Sequence, residues 1–381
     1  MFFTNSISTY LFINFNLTQL AFWFGLFYFK TKINSKFNTL KTNTFSNNFN
    51  NTLSFYFFSI IYLCSQVLIY VTKGIPLLKE SRLETFADGG GEGVLGRIVD
   101  VTSIFCLYSF FKIIKVGKLS FSDVPKYVII ILIFLTFLLT GSKSTFLNLF
   151  LVFWCFIIFN RIKGNDSEKY INIIKKYRLR IFVFILTVVS LIIFVQINYA
   201  DNENKLNPLV SLFIRFIHSG DVYWYAYPNN VYLNIKSNAW FSALFTDFLG
   251  LFRIVGWNNL PEAIGITFKD IHHPSDIPSG PNARHNVFGL IYYGFFGGIL
   301  FSFLLGVIIS FVRNKLPFIL KDTMLNGFIF TFLMIKISGL DTDPMLTFTY
   351  LNNLLFIFPI IFFGFLFFLA LFKTKLGHND K

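Results

Sequence analysis

Residues 287–312 read VFGLIYYGFFGGILFSFLLGVIISFV, a run without a single charged side chain. A helix needs about 20 mostly apolar residues to cross the hydrocarbon core of a bilayer. This run exceeds that length, so it reads as a membrane span. The residues around it repeat the pattern. Apolar segments at 10–29, 53–72, 98–114, 127–140, 145–160, 181–199, 323–339 and 347–372 also qualify, some of them marginally. The sequence therefore predicts an all-α polytopic membrane protein with about nine or more transmembrane helices. Composition agrees. The chain has 381 residues, of which 54% are hydrophobic and only 14% charged, against about 25% charged in a soluble domain. Its mean hydropathy is +0.61. An ordinary soluble enzyme, a disordered chain and a collagen-like fibre are all excluded.

The net charge of +14 would point to nucleic acid in a soluble chain. Here it follows from membrane topology, and no nucleic-acid partner is expected. The connections 30–52, 112–126, 161–180 and 313–322 and the tail from Lys373 hold 21 of the 33 basic residues and 5 of the 19 acidic ones. The connections 73–100, 141–144, 200–285 and 340–346 hold 11 basic and 14 acidic residues, and Lys336 inside a span completes the count. Basic residues accumulate on the cytoplasmic side. The first set and the C-terminus are thus expected in the cytoplasm, and the N-terminus outside. The first apolar run has no basic residue before it and no small-residue cleavage site, so it reads as a retained span.

Three units are expected: a bundle of about six spans over 1–199, a large external loop over 200–285, and a bundle of about three spans over 286–381. Within the loop, 206–219 and 239–257 are apolar with isolated charges, and both read as interfacial or re-entrant helices. If 239–257 spanned, the downstream charge bias would reverse. The cysteines Cys64, Cys106 and Cys155 each lie in an apolar run and carry no metal-binding spacing.

Candidate chemistry gathers in the loop. Five of the nine arginines are external: Arg82, Arg97, Arg215, Arg253 and Arg284. Lysine suffices for topology, whereas guanidinium grips phosphate through a planar fork. Arg215, Arg253 and Arg284 share the large loop, so anionic ligand binding is expected. The alternative is structural pairing with Asp221 or Asp247. Four of the five histidines are there too: His218, His272, His273 and His285. His285 and His218 are candidate general bases, while His272–His273 beside Pro274 resemble an exposed turn. Lys143 and Lys336, near the outer ends of spans, could add positive charge to a phosphate site or simply snorkel. No nucleotide-binding loop, nucleophile elbow or metal-ligand motif is present, so no cofactor or metal is expected. An external enzyme without a nucleotide donor needs a substrate already activated on a lipid. A polyprenyl pyrophosphate-linked sugar fits: arginines for pyrophosphate, aromatics for sugar rings, a base for the acceptor hydroxyl.

Two motifs carry a resemblance. Residues 284–298, RHNVFGLIYYGFFGG, and residues 141–145, GSKST, are similar to segments of O-antigen polymerases. In these, a His-Asn pair precedes a glycine-punctuated span and a Gly-Ser-Arg turn joins two spans; Lys143 stands here at the arginine position. The resemblance implies a C-type glycosyltransferase fold in the bacterial inner membrane. The active site would face the periplasm and join undecaprenyl-pyrophosphate-linked oligosaccharide repeat units in one inverting, nucleotide-independent step. It also implies a chain-length regulator protein as a possible partner. Carried onto this chain, Arg215, Arg253 and Arg284 would grip phosphate, and Lys143 and Asp221 would complete the substrate-binding set. His285, or second His218, would be the base. A flippase or exporter of the same lipid-linked sugars and an O-antigen ligase are the alternatives.

Overall fold

The computed structural model describes residues 8–29, 48–79, 93–114, 121–140, 143–165, 220–235, 239–274 and 280–376, with short pieces between 170 and 190. Arg215, His218, the segment 206–219 and most of the expected span 181–199 lie outside the described residues. The described residues are helical, with no strand. Five helices are long and apolar enough to cross a membrane, and they fall on the expected segments 53–72, 98–114, 287–312, 323–339 and 347–372.

In chain order the elements are α1 (Thr9–Leu26), α2 (Asn48–Lys73), α3 (Gly93–Ile113), α4 (Val124–Leu139), α5 (Lys143–Ile162), α6 (Asp221–Ala226), α7 (Trp240–Leu244), α8 (Thr246–Leu251), α9 (Ile264–His272) and α10 (His285–Asn314). After these come α11 (Met324–Ile337), α12 (Pro344–Asn352), a π-helical turn (Asn353–Ile357) and α13 (Phe358–Leu376). Local chemistry sets several starts. Ser8 and Thr323 accept from the backbone N–H groups of Leu11 and Asn326, which satisfies donors a helix leaves open. Asp343 does the same for Leu346, with Pro344 following in the first turn.

Phenylalanine, 55 residues of the chain, builds the middle of the bundle. Phe58 of α2 stacks on Phe105 of α3 at 4.0 Å, Phe105 meets Phe328 of α11 at 5.1 Å, and Phe328 meets Phe358 of α13 at 4.7 Å. Other phenylalanines face outward: Phe24, Phe296 and Phe367 are exposed. Apolar surface of this extent fits lipid rather than water.

Charged and amide side chains are drawn to the two ends of the bundle. At one end, Lys112 bonds Asp322 at 3.1 Å and Asn160 at 3.3 Å, Asn165 bonds Asp322 at 2.9 Å, and Lys163 donates to the Leu320 carbonyl. At the other, Arg97 pairs with Asp247, and Lys336 with Asp100. The charge asymmetry grouped 112–126 with 161–180 and 313–322, and 73–100 with 200–285; the contacts join the same groups.

One expectation is kept in finer detail and one changes. Segment 239–257 folds as α7 and α8, of five and six residues. Each is under 10 Å at a rise of about 1.5 Å per residue, too short to cross. The run 287–312, read as one span, is broken. Gly294 has φ 69° and ψ −168°, a conformation essentially reserved for glycine. The chain reverses there. Gly289 and Gly298 approach backbone to backbone at about 3 Å from an ideal Cβ, and Phe288 stacks on Phe301 at 5.5 Å. Residues 285–293 thus form a short arm folded back along the span 295–314. The span packs against α1, where a Cβ on Gly25 would lie 2.9 Å from the Gly306 Cα. The absence of side chains at this crossing is what lets the two backbones meet.

Candidate functional site

The short arm carries Arg284, His285 and Asn286 away from the Gly294 turn, into the bundle. Along α1 the order is clear. Tyr10 lies against Phe295 at 5.1 Å, Asn286 reaches Thr18 and Gln19, and His285 packs edge-on against Phe22 at 4.6 Å. Phe22 in turn borders Gly306, about 16 Å of helix beyond the turn. The three residues were expected at the mouth of a span; they lie instead at the inner end of a re-entrant arm.

Arg284 and His285 both face Asp341, and Asn286 is held by other side chains. The Arg284 backbone, φ 51° and ψ 140°, is rarely adopted by a side-chain-bearing residue. It is fixed by the Arg284 N–H donating to the Thr342 carbonyl at 2.8 Å. Its guanidinium Nη1 donates to Asp341 Oδ2 at 3.4 Å. His285 Nε2 stands 3.7 Å from Asp341 Oδ1, and neither ring nitrogen meets a hydrogen-bond partner among the described residues. Asn286 Oδ1 accepts from the Tyr223 hydroxyl at 2.7 Å, and its amide donates to Thr18 Oγ1 at 3.1 Å and Gln19 Oε1 at 3.4 Å. Burial pushes the Tyr223 hydroxyl pKa well above the usual phenol range, with Arg284 pulling it down and Asp341 raising it. Tyr223 therefore stays a donor.

Exposure separates the roles. The side chains of Arg284 and Asp341 are 23% and 37% exposed, while His285 is 0%. A ligand can reach the Arg284–Asp341 pair; the imidazole stands behind it. Beside the pair lies a half-open cavity of about 270 Å³, lined by 263–266, 280–283, Phe288, Asp343 and Met345. That is near the lower limit for small-molecule sites. The bond from Arg284 to Thr342 joins its two rims.

The other sequence candidates go elsewhere. Arg253 is exposed and ends α8. Its φ is 53°, and the Arg253 and Ile254 N–H groups return to the Gly250 and Leu249 carbonyls, the pairing of a Schellman stop. Asp247, a possible partner for the loop arginines, is taken by Arg97 with Asn352 nearby. Lys336 neither snorkels nor adds free positive charge: it pairs with Asp100 and covers the Tyr350 ring at 3.7 Å. Asp221 opens α6, two residues from Tyr223. Lys143 begins α5; its side chain is outside the described residues. His272 bonds the Tyr225 carbonyl at 3.0 Å and packs on that ring.

Asp341, Tyr223, Thr18 and Gln19 were not singled out as site residues from the sequence. A signal existed for α1: Asn14 and Thr18, four apart, share one face of a mostly apolar helix, and both are fully buried. No family model, curated protein or solved structure matches the chain.

Proposed function

We propose that the protein is a membrane glycosyltransferase that joins polyprenyl-pyrophosphate-linked oligosaccharide repeat units, as a polymerase of surface polysaccharide. The observation that carries this reading is the accessible Arg284–Asp341 pair at the end of a buried re-entrant arm, next to a cavity. Arg284 grips the leaving pyrophosphate, whose charge grows as the anomeric C–O bond breaks. Asp341, exposed beside it, takes the proton of the acceptor hydroxyl as the new glycosidic bond forms. The pyrophosphate leaves on its polyprenyl carrier. His285, expected from the sequence as the base, is fully buried and stands behind Asp341, 3.7 Å from its carboxylate with no hydrogen bond between them.

The test is polymerisation by the purified, reconstituted chain with a defined lipid-linked repeat. Arg284→Ala should leave the single lipid-linked repeat unextended, and Arg284→Lys should also be impaired because a lysine cannot fork onto phosphate. Asp341→Asn should lower kcat by about 10²–10⁴-fold. Normal ladders from Arg284→Ala at normal expression would sink the proposal. The broken helix supports a second reading, a transporter of the same lipid-linked sugars, since such proteins build midplane sites from discontinuous helices. That reading expects substrate to cross the vesicle membrane with no new glycosidic bond.

A further inference from the structure

We propose that the cavity between the start of α9, residues 280–283 and the start of α12 is a subsite for one neutral sugar ring, with Asp343 as its hydroxyl acceptor. The proposal rests on the glycosyltransferase reading only for the identity of the whole substrate; the chemistry of the cavity stands by itself. Its volume of about 270 Å³ equals roughly nine water volumes, room for one pyranose ring. Ile266 and Met345 offer apolar surface to the C–H face of a ring, while Asp343 and the exposed Asn282 offer polar groups to hydroxyls. Among the described residues no lysine or arginine lines the cavity, so they offer a phosphate no counter-charge there. Asp343 accepts from the backbone N–H groups of Met345 and Leu346, and a carboxylate has about four acceptor positions. Capacity for hydroxyl donors therefore remains. The cavity shares a wall with the reacting pair: Ala283 precedes Arg284, Asp343 follows Asp341 by two residues, and the Arg284–Thr342 bond ties the walls together. A ring seated here would present a hydroxyl beside Asp341, as an acceptor must.

Binding is read on the full chain in lipid nanodiscs by saturation-transfer NMR and calorimetry. The probes are a panel of methyl glycosides (glucoside, galactoside, mannoside and N-acetylglucosaminide), with ethanolamine as an amine control. At least one glycoside should bind. Asp343→Asn should weaken it about tenfold through loss of charge-assisted hydrogen bonds, with the cap kept because Asn caps as well as Asp. Ala263→Phe, at a half-exposed rim position, should block the site by volume. Binding unchanged in Ala263→Phe, no binding by any glycoside, or binding of ethanolamine in their place overturns the proposal. Failure of polymerisation with glycoside binding intact overturns the polymerase reading and leaves the subsite standing.

Discussion

Gly294→Ala separates two architectures by sign. In the structure Gly294 sits at φ 69° and ψ −168°, and a Cβ built there meets nothing within 4 Å. Steric overlap with neighbours therefore contributes nothing, and the cost is that of the backbone conformation alone. Holding a non-glycine residue in this region costs about 1–3 kcal/mol. The stiffer unfolded chain returns about 0.4–1 kcal/mol, so the variant should be destabilised by roughly 1–2 kcal/mol. If residues 285–314 were instead one straight helix, the same change would stabilise by about 0.5–1 kcal/mol, because alanine is the better helix former. A straight helix of that length would run about 45 Å, well past a hydrocarbon core of about 30 Å, and would carry Arg284 away from Asp341. Reversible unfolding in mixed micelles titrated with dodecyl sulfate reads the difference. A Gly294→Ala protein as stable as the parent, or more so, refutes the folded-back arm, and with it the placement of Arg284 and His285.

Other perturbations follow from the same geometry. Arg97 and Asp247 are 15% and 9% exposed, so removing either partner alone should cost about 3–5 kcal/mol, while Arg97→Met with Asp247→Leu should recover much of it; a double-mutant cycle in the same unfolding assay checks this. Tyr223→Phe leaves Asn286 Oδ1 without its 2.7 Å donor in a side chain that is 1% exposed. It should cost about 1–3 kcal/mol and lower kcat in the polymerisation assay through Asn286. Burial raises the Asp343 pKa above its usual carboxylate value, against the pull of two backbone N–H bonds. A raised carboxylate pKa gives stability at low pH that is lost as pH climbs through the folded value. The stability of Asp343→Asn relative to the parent should therefore rise with pH from about 4 upward. A flat difference between the two pH profiles contradicts the burial of that carboxyl.

Hydropathy located five of the long helices because bilayer insertion is close to a sum over residues, and a run such as 347–372 needs no partner to be recognised. The charge bias likewise grouped connections correctly, since Lys112, Lys163 and Asp322 meet at one end and Arg97 and Asp247 at the other. Of the site, the sequence marked Arg284 and His285 by residue type and by the motif that begins at 284. It could not mark Asp341, which looks like an ordinary turn acid in SGLDTDP until the arm brings Arg284 to it. Arg253 shows the converse: a residue chosen for its guanidinium is used for its backbone, ending a helix where glycine is usual.

The amino-acid order by itself determined the solvent of this protein, its helical class and the sorting of its charges, because each depends on properties the residues carry individually. Only the tertiary structure decided which charges neutralise one another, where the long apolar run turns back, and which polar groups remain reachable. Those outcomes depend on pairs such as Arg97 with Asp247, Asp100 with Lys336 and Thr18 with Asn286. The partners are far apart in the chain, and packing alone sets the register that joins them.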